Sequence, residues 1–149
     1  MLFRSIREDV YEDYFSIEIG KAKLLKEGND ITIITFGAAV HWALEVLERC
    51  PEISAEVLDL RSLSPLDEAA IFTSVKKTGK VIILQEDSLF GGIASDISAL
   101  ISEHCFEYLD APIKRVASLS TPIPFAKKLE DQYLAKLKFE NELKILNNY

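Results

Sequence analysis

Val57-Leu58-Asp59-Leu60-Arg61-Ser62-Leu63-Ser64-Pro65-Leu66-Asp67 runs a short apolar strand directly into a signalled helix start. Ser64 reads as an N-cap, Pro65 stands where a helix tolerates proline, and Asp67 places a carboxylate three residues after the cap, by the positive end of the dipole. The predicted helix continues through Leu66, Ala69, Ala70, Phe72 and Val75, gathers Lys76 and Lys77 in its last turn, and stops at Gly79. Strand, cap, helix and stop agree, so this stretch is one β-α unit with Asp59 and Arg61 at the strand's carboxyl end.

The same alternation extends both ways. Upstream, Ile31-Thr32-Ile33-Ile34-Thr35-Phe36 is a β-branched run suited to a central strand covered on both faces. Gly37 ends it, and a helix is predicted from about Ala39 through Trp42, Leu44, Val46 and Leu47 to Pro51. Before it, residues 22–25 form a short candidate strand and Glu27-Gly28-Asn29-Asp30 a turn, so pattern alone makes the first two strands a hairpin. Downstream come a strand at 80–85, a loop at 86–92, and a helix with Ile93, Ile97, Leu100, Ile101 and Cys105 on one stripe. A strand at 113–117, an irregular loop at 120–124 and a short terminal helix marked by Phe139, Leu143 and Leu146 complete the chain. The fold class is α/β: a largely parallel sheet between two helical layers, with right-handed crossovers.

The chain has 149 residues, 48% of them apolar, enough for one domain that buries roughly 70% of its unfolded surface. We divide it into an arm or linker over 1–19, where Tyr11, Tyr14 and Phe15 sit among charges without a period, and a domain over 20–149. No apolar run approaches the roughly 20 residues that span a bilayer, and the first residues lack a signal peptide's apolar core, so a cytoplasmic protein without membrane contact is expected. A formal charge of -7 argues against a nucleic-acid partner and leaves basic proteins open. Cys50 and Cys105 have no paired spacing, so neither a disulfide framework nor a zinc site is implied.

In such a sheet, ligands collect beyond the carboxyl ends of the strands. Those ends lie at residues 37–41, 61–64, 86–92 and 118–124. His41, at the entry to its helix, is a base only if a carboxylate such as Glu86 lies across the crevice; otherwise it is structural or interfacial. Gly91 and Gly92 before a helix can offer N–H groups to an anion, but Glu86 and Asp87 oppose one, and a tight turn or close packing is the plainer reading. Asp59 and Arg61 share a strand face and suit a structural ion pair or a hold on neighbouring loops. His104 and Cys105 are adjacent on a helix and point apart, so they form no dyad. No nucleophile elbow, metal cluster or paired acid and base is present, and no catalytic, cofactor or metal residue is assigned.

Taken in order, the motifs resemble a known family. Phe36-Gly37-Ala38-Ala39-Val40-His41, Asp59-Leu60-Arg61 with Ser64-Pro65-Leu66-Asp67, Ser74-Val75-Lys76-Lys77-Thr78-Gly79-Lys80, Glu86 followed by Gly91-Gly92, Asp110-Ala111-Pro112-Ile113-Lys114-Arg115-Val116, and Thr121-Pro122-Ile123-Pro124 resemble the C-terminal domain of the beta subunit of 2-oxoacid dehydrogenases. The resemblance covers nearly the whole chain. Leu2-Phe3-Arg4 and Ile17-Glu18-Ile19-Gly20-Lys21-Ala22 look like that family's junction with a preceding domain, which would make Met1 an imposed start. It implies a three-layer α/β/α fold of the transketolase C-terminal type, with a five-stranded mixed sheet in order 1-3-2-4-5, strand 1 antiparallel. The switch point would then fall between the loops at 37–41 and 86–92.

The resemblance also implies a role. The family's complete enzyme uses thiamine diphosphate and magnesium, held by other domains, to decarboxylate a 2-oxoacid and acylate a lipoyl group. This domain would bind neither, and would be inactive alone. It would contribute the contact between beta chains, alongside an alpha subunit or fused alpha region, and docking for the lipoyl acyltransferase core. Ala94 and the terminus Leu146-Asn147-Asn148-Tyr149 look closer to branched-chain (3-methyl-2-oxobutanoate) than to pyruvate members, whereas Asp96 and Ala135 depart from the usual Glu and Pro. Gly37, His41, Asp59, Arg61, Glu86, Gly91, Gly92, Pro122 and Pro124 are the candidate crevice and interface residues. The alternatives are a pyruvate dehydrogenase beta subunit, the matching domain of transketolase or deoxyxylulose phosphate synthase, or a free-standing ligand-sensing module.

Overall fold

Three strands buried almost throughout, their residues alternating between two faces, build the molecule. In the computed structural model, which describes residues 12–149, Ile31 and Ile33 of β2 (Ile31–Thr35) face one helical layer while Thr32 and Ile34 face the other. The same division holds in β3 (Ala55–Asp59), where Ala55 and Val57 oppose Leu58, and in β4 (Val81–Ser88), where Ile82 and Leu84 oppose Val81 and Ile83. Strands covered on both faces have no solvent side to keep polar, hence their largely apolar, β-branched composition.

The layers follow from the helices' apolar stripes. α1 (Ala38–Arg49) brings Trp42, Val46 and Leu47 to the first face, joined by Phe139, Leu143 and Leu146 of α5 (Lys136–Asn147). α2 (Glu68–Thr78) brings Ile71 and Val75 to the second, joined by Ile97, Ile101 and Cys105 of α3 (Ala94–Cys105). Cys50 and Cys105 are buried free thiols on opposite faces, and burial pushes the Cys105 thiol up.

The sheet order is β1-β3-β2-β4-β5, with β1 (Lys23–Lys26) antiparallel to β3 and the other pairs, out to β5 (Lys114–Ser118), parallel. The hairpin expected from pattern alone does not form. The turn carries the chain across the start of β3: Asn29 N and Asp30 N donate to the Ser54 carbonyl at 3.1 and 2.8 Å, and a Cβ on Gly28 would collide with the backbone of Ala55. Only glycine permits that crossing, which puts β1 on the outer side of β3 and β2 on the inner side.

Other boundaries shift. α2 begins at Glu68, not behind Ser64, because Asp67 is the cap: its Oδ1 accepts the Ala70 N–H at 3.2 Å. Pro65 lies ahead of the helix, its carbonyl accepting the Ser62 hydroxyl at 2.8 Å, and the Ser64–Pro65 peptide is cis. β4 runs on to Ser88, so Glu86 is a strand residue and not the start of a loop. A helix unmarked in the sequence, α4 (Lys127–Tyr133), follows the irregular loop, and a 3-10 turn (Phe106–Tyr108) closes α3. The terminal helix has twelve residues and is not short. Of the predicted arm, residues 1–11, including Leu2-Phe3-Arg4 and Tyr11, lie outside the described residues, and residues 12–19 are exposed.

Candidate functional site

The carboxyl ends of β2, β4 and β5 present Gly37, His41, Glu86, Gly91, Gly92, Pro122 and Pro124 at one edge of the sheet. Gly37 caps α1 at φ 60, and His41 is half-buried on that helix's first turn. The loop after β4 meets the loop after β5 where Phe90 N donates to Ser120 Oγ at 3.4 Å. Pro122 is exposed and Pro124 half-buried on that second loop.

Gln85, fully buried, shapes this edge, although sequence reading passed over it. Its Nε2 donates to the Ser88 carbonyl at 2.7 Å and its Oε1 accepts the Ala94 N–H at 2.9 Å. One amide thereby closes the turn after β4 and caps the first turn of α3. Gly92 lies so near that a Cβ would strike the Gln85 amide, while Ser95 N already bonds to the Gly92 carbonyl at 3.1 Å. The N–H groups of Ala94 and Ser95 are therefore engaged, which leaves α3 poorly placed to receive an anion.

Charge reinforces that conclusion. Burial lifts the half-buried Glu86 carboxyl above its ordinary range, and Glu130 on α4 lifts it further. Burial also pushes the Tyr133 phenol up, with the charges of Asp87 and Glu86 adding to the effect. Acidic residues from two elements thus crowd the crevice, and a diphosphate does not fit there. Among the described residues, no group of three or more His, Cys, Asp or Glu converges as a cation site. No reaction step is assigned to these residues.

Of the two readings for Asp59 and Arg61, an ion pair or a hold on neighbouring chain, the structure shows the hold, made through the backbone. Asp59 Oδ1 accepts the backbone N–H of Arg61 at 3.1 Å, an arrangement permitted by the left-handed φ of 52 at Arg61. The Arg61 guanidinium donates to the carbonyls of Lys21 at 3.1 Å and Ala22 at 3.3 Å. Asp67 Oδ2 accepts the Ala22 N–H at 3.1 Å, so the strand-to-helix segment quoted first clamps the chain entering β1. His104 packs against Phe72 with ring centroids 5.1 Å apart and planes tilted by 44°, away from the crevice.

A buried polar cluster beneath α2 also escaped the sequence reading. Thr32 Oγ1 lies 3.1 Å from Glu56 Oε1, 3.1 Å from the Ser74 carbonyl and 2.8 Å from Thr78 Oγ1. Glu56, 1% exposed, receives Lys77 Nζ on its other oxygen at 2.8 Å. Residues 32 and 56 pair across β2 and β3, so a buried carboxylate is satisfied from a neighbouring strand and the helix above. The available signal was a glutamate inside an apolar strand.

Comparison with known proteins agrees with this geometry. The chain is 51% identical over 132 residues to the beta subunit of acetoin:2,6-dichlorophenolindophenol oxidoreductase from Bacillus subtilis (strain 168), covering 87% of this chain and 39% of that protein. It is 46% identical over 135 residues to the beta subunit of 2-oxoisovalerate dehydrogenase from the same organism, covering 89% and 41%. A solved structure described as a split gene transketolase, inactive beta4 tetramer, superposes with a TM-score of 0.76 at 27% identity, over 95% of this chain and 46% of that one. The chain thus spans about two-fifths of the length of these curated relatives. The family described as transketolase, C-terminal domain, matches residues 20–138, and with the sheet order seen here the chain belongs to that family.

Proposed function

We propose that this chain serves as the C-terminal domain of a beta subunit in a thiamine diphosphate-dependent 2-oxoacid dehydrogenase, and that it supplies assembly surface while the chemistry occurs in other domains. The observation that carries this reading is similarity to two beta subunits along almost nine-tenths of the chain. The crowding of Glu86, Asp87 and Glu130 supports it, since these residues suit a scaffold better than a diphosphate cradle. In this reading the partners are a second beta chain, an alpha subunit or fused alpha region and a lipoyl acyltransferase core, in the cytoplasm. The loops at the carboxyl edge suit assembly: Phe90, Ile123 and Phe125 are largely exposed there.

The preferred substrate is 3-methyl-2-oxobutanoate, from Ala94 and the form of the terminus. A second reading, acetoin, is favoured by the 51% identity to the acetoin enzyme against 46% to the 2-oxoisovalerate enzyme. The test is dye reduction by the complete enzyme with its partner subunits, using 3-methyl-2-oxobutanoate, acetoin, pyruvate and sugar phosphates in turn. Preference for 3-methyl-2-oxobutanoate by about tenfold or more, or roughly 1.4 kcal/mol in transition-state stabilisation, is the expected outcome. Preference for acetoin selects the second reading. Turnover by the 149-residue chain alone, or activity restricted to sugar phosphates, overturns both.

A further inference from the structure

We propose that the open edge of β5, with the groove between it and α5, is a docking site for an extended acidic peptide segment of a partner protein, which joins the sheet as a sixth strand. β5 ends the sheet order and pairs only with β4, so its outer edge presents backbone N–H and C=O groups that no strand among the described residues uses. A groove of about 540 Å³ follows that edge. One wall is residues 114–120, consecutive along the chain, and the other is Lys138, Asn141 and Glu142 of α5. A groove walled by one continuous edge strand matches an extended chain, which rises about 3.3 Å per residue, better than a compact ligand.

Charge selects the occupant. The chain carries -7 overall, yet the groove brings Lys114, Arg115 and Lys138 together against Glu142 alone. Glu142 holds Lys114 at 3.2 Å, and Arg115 donates to Ser95 Oγ at 2.6 Å, leaving Lys138 without an ion pair or side-chain hydrogen bond among the described residues. Cations on an edge strand discourage indiscriminate pairing. The same cations admit an acidic strand, and they disfavour a second copy, whose own β5 would bring the same charges to the contact.

The test uses a seven-residue peptide alternating glutamate and valine, end-capped and fluorescein-labelled, titrated with the 149-residue chain by anisotropy and amide NMR. Saturable binding is expected at about 10–300 μM, roughly -5 to -7 kcal/mol, with shifts confined to residues 114–120 and 136–142. Peptides N-methylated on alternate amides separate backbone pairing from charge: one register should lose about tenfold or more in affinity while the other binds nearly as before. Lys138→Glu, an exposed change that leaves the core intact, should weaken binding about two- to fivefold, as expected for a surface charge pair. A lysine-valine peptide binding as well as the acidic one, equal binding of both N-methylated forms, shifts elsewhere, no saturation below 1 mM, or β5-to-β5 self-pairing without peptide would each overturn the proposal.

Discussion

Glu86 occupies a half-buried position where ionisation works against the fold. Its folded-state pKa is raised, by burial first and by Glu130 second, so the native state holds the proton to higher pH than the unfolded chain does. Stability linked to this group therefore falls as pH climbs from its ordinary value of 4.5 through the raised folded value. Glu86→Gln removes the ionisation and keeps the shape. The expected outcome is a gain of up to about 1 kcal/mol at pH 7, small because solvent screens a half-buried group, shrinking towards zero at acid pH. Thermal melts of both proteins between pH 4 and pH 8 measure it, and a constant difference across that range would show that ionisation is not the cause. Glu56 is more deeply buried than Glu86, and Thr32 and Lys77 meet both its oxygens.

At the scale of elements, the turn from β4 into α3 depends on one amide. Replacing Gln85 with leucine keeps most of the volume but strips the Ala94 N–H of its acceptor and the Ser88 carbonyl of its donor. Urea unfolding should show a loss of about 1–3 kcal/mol, mostly from the buried Ala94 N–H left unpaired, with less from the partly buried Ser88 carbonyl. Amide exchange should quicken over residues 86–96; an unchanged loop with an unchanged midpoint would show that this amide does not organise the turn. Neither Gln85 nor Thr32 declares itself in sequence, because a polar residue in an apolar strand reads as an interruption until its partner, nine or twenty-four positions away, is known. The strands themselves were legible because β2, β3 and β4 are covered on both faces and are dominated by apolar and β-branched residues. Ser64 was misread because two good capping residues stand three apart, and the one whose carboxylate reaches both Ala22 N and Ala70 N prevailed. α4 left no stripe to find, since only Tyr133 of its seven residues is buried. The placement of β1 beyond β3 followed from the family resemblance and not from periodicity, because the Gly28 crossing is a contact with a distant strand.

For the whole molecule, charge and exposed apolar surface pull in opposite directions. A net charge of -7 keeps copies apart, while Phe90 at 87% exposure and the fully exposed Phe125 stand on the carboxyl-edge loops with Ile123. Phe90 is tied to the β5 loop through Ser120, so these side chains belong to adjoining segments, and exposed apolar clusters of this kind mark contact surfaces. If these loops carry the assembly role, the chain should self-associate with rising concentration, and more strongly as salt screens its charge. Pairing Phe90→Asp with Phe125→Asp removes two apolar anchors and adds two negative charges. Full burial of each phenylalanine is worth roughly 1.5–3 kcal/mol, so the double variant should weaken association by tenfold or more. Neither side chain is in the core, so circular dichroism and the melting temperature should hold, which separates lost assembly from lost folding. Sedimentation velocity across a hundredfold concentration range decides the matter. A wild-type chain that stays monomeric throughout at 0.5 M salt, or a double variant that associates as strongly as the wild type, would remove these loops from the assembly face.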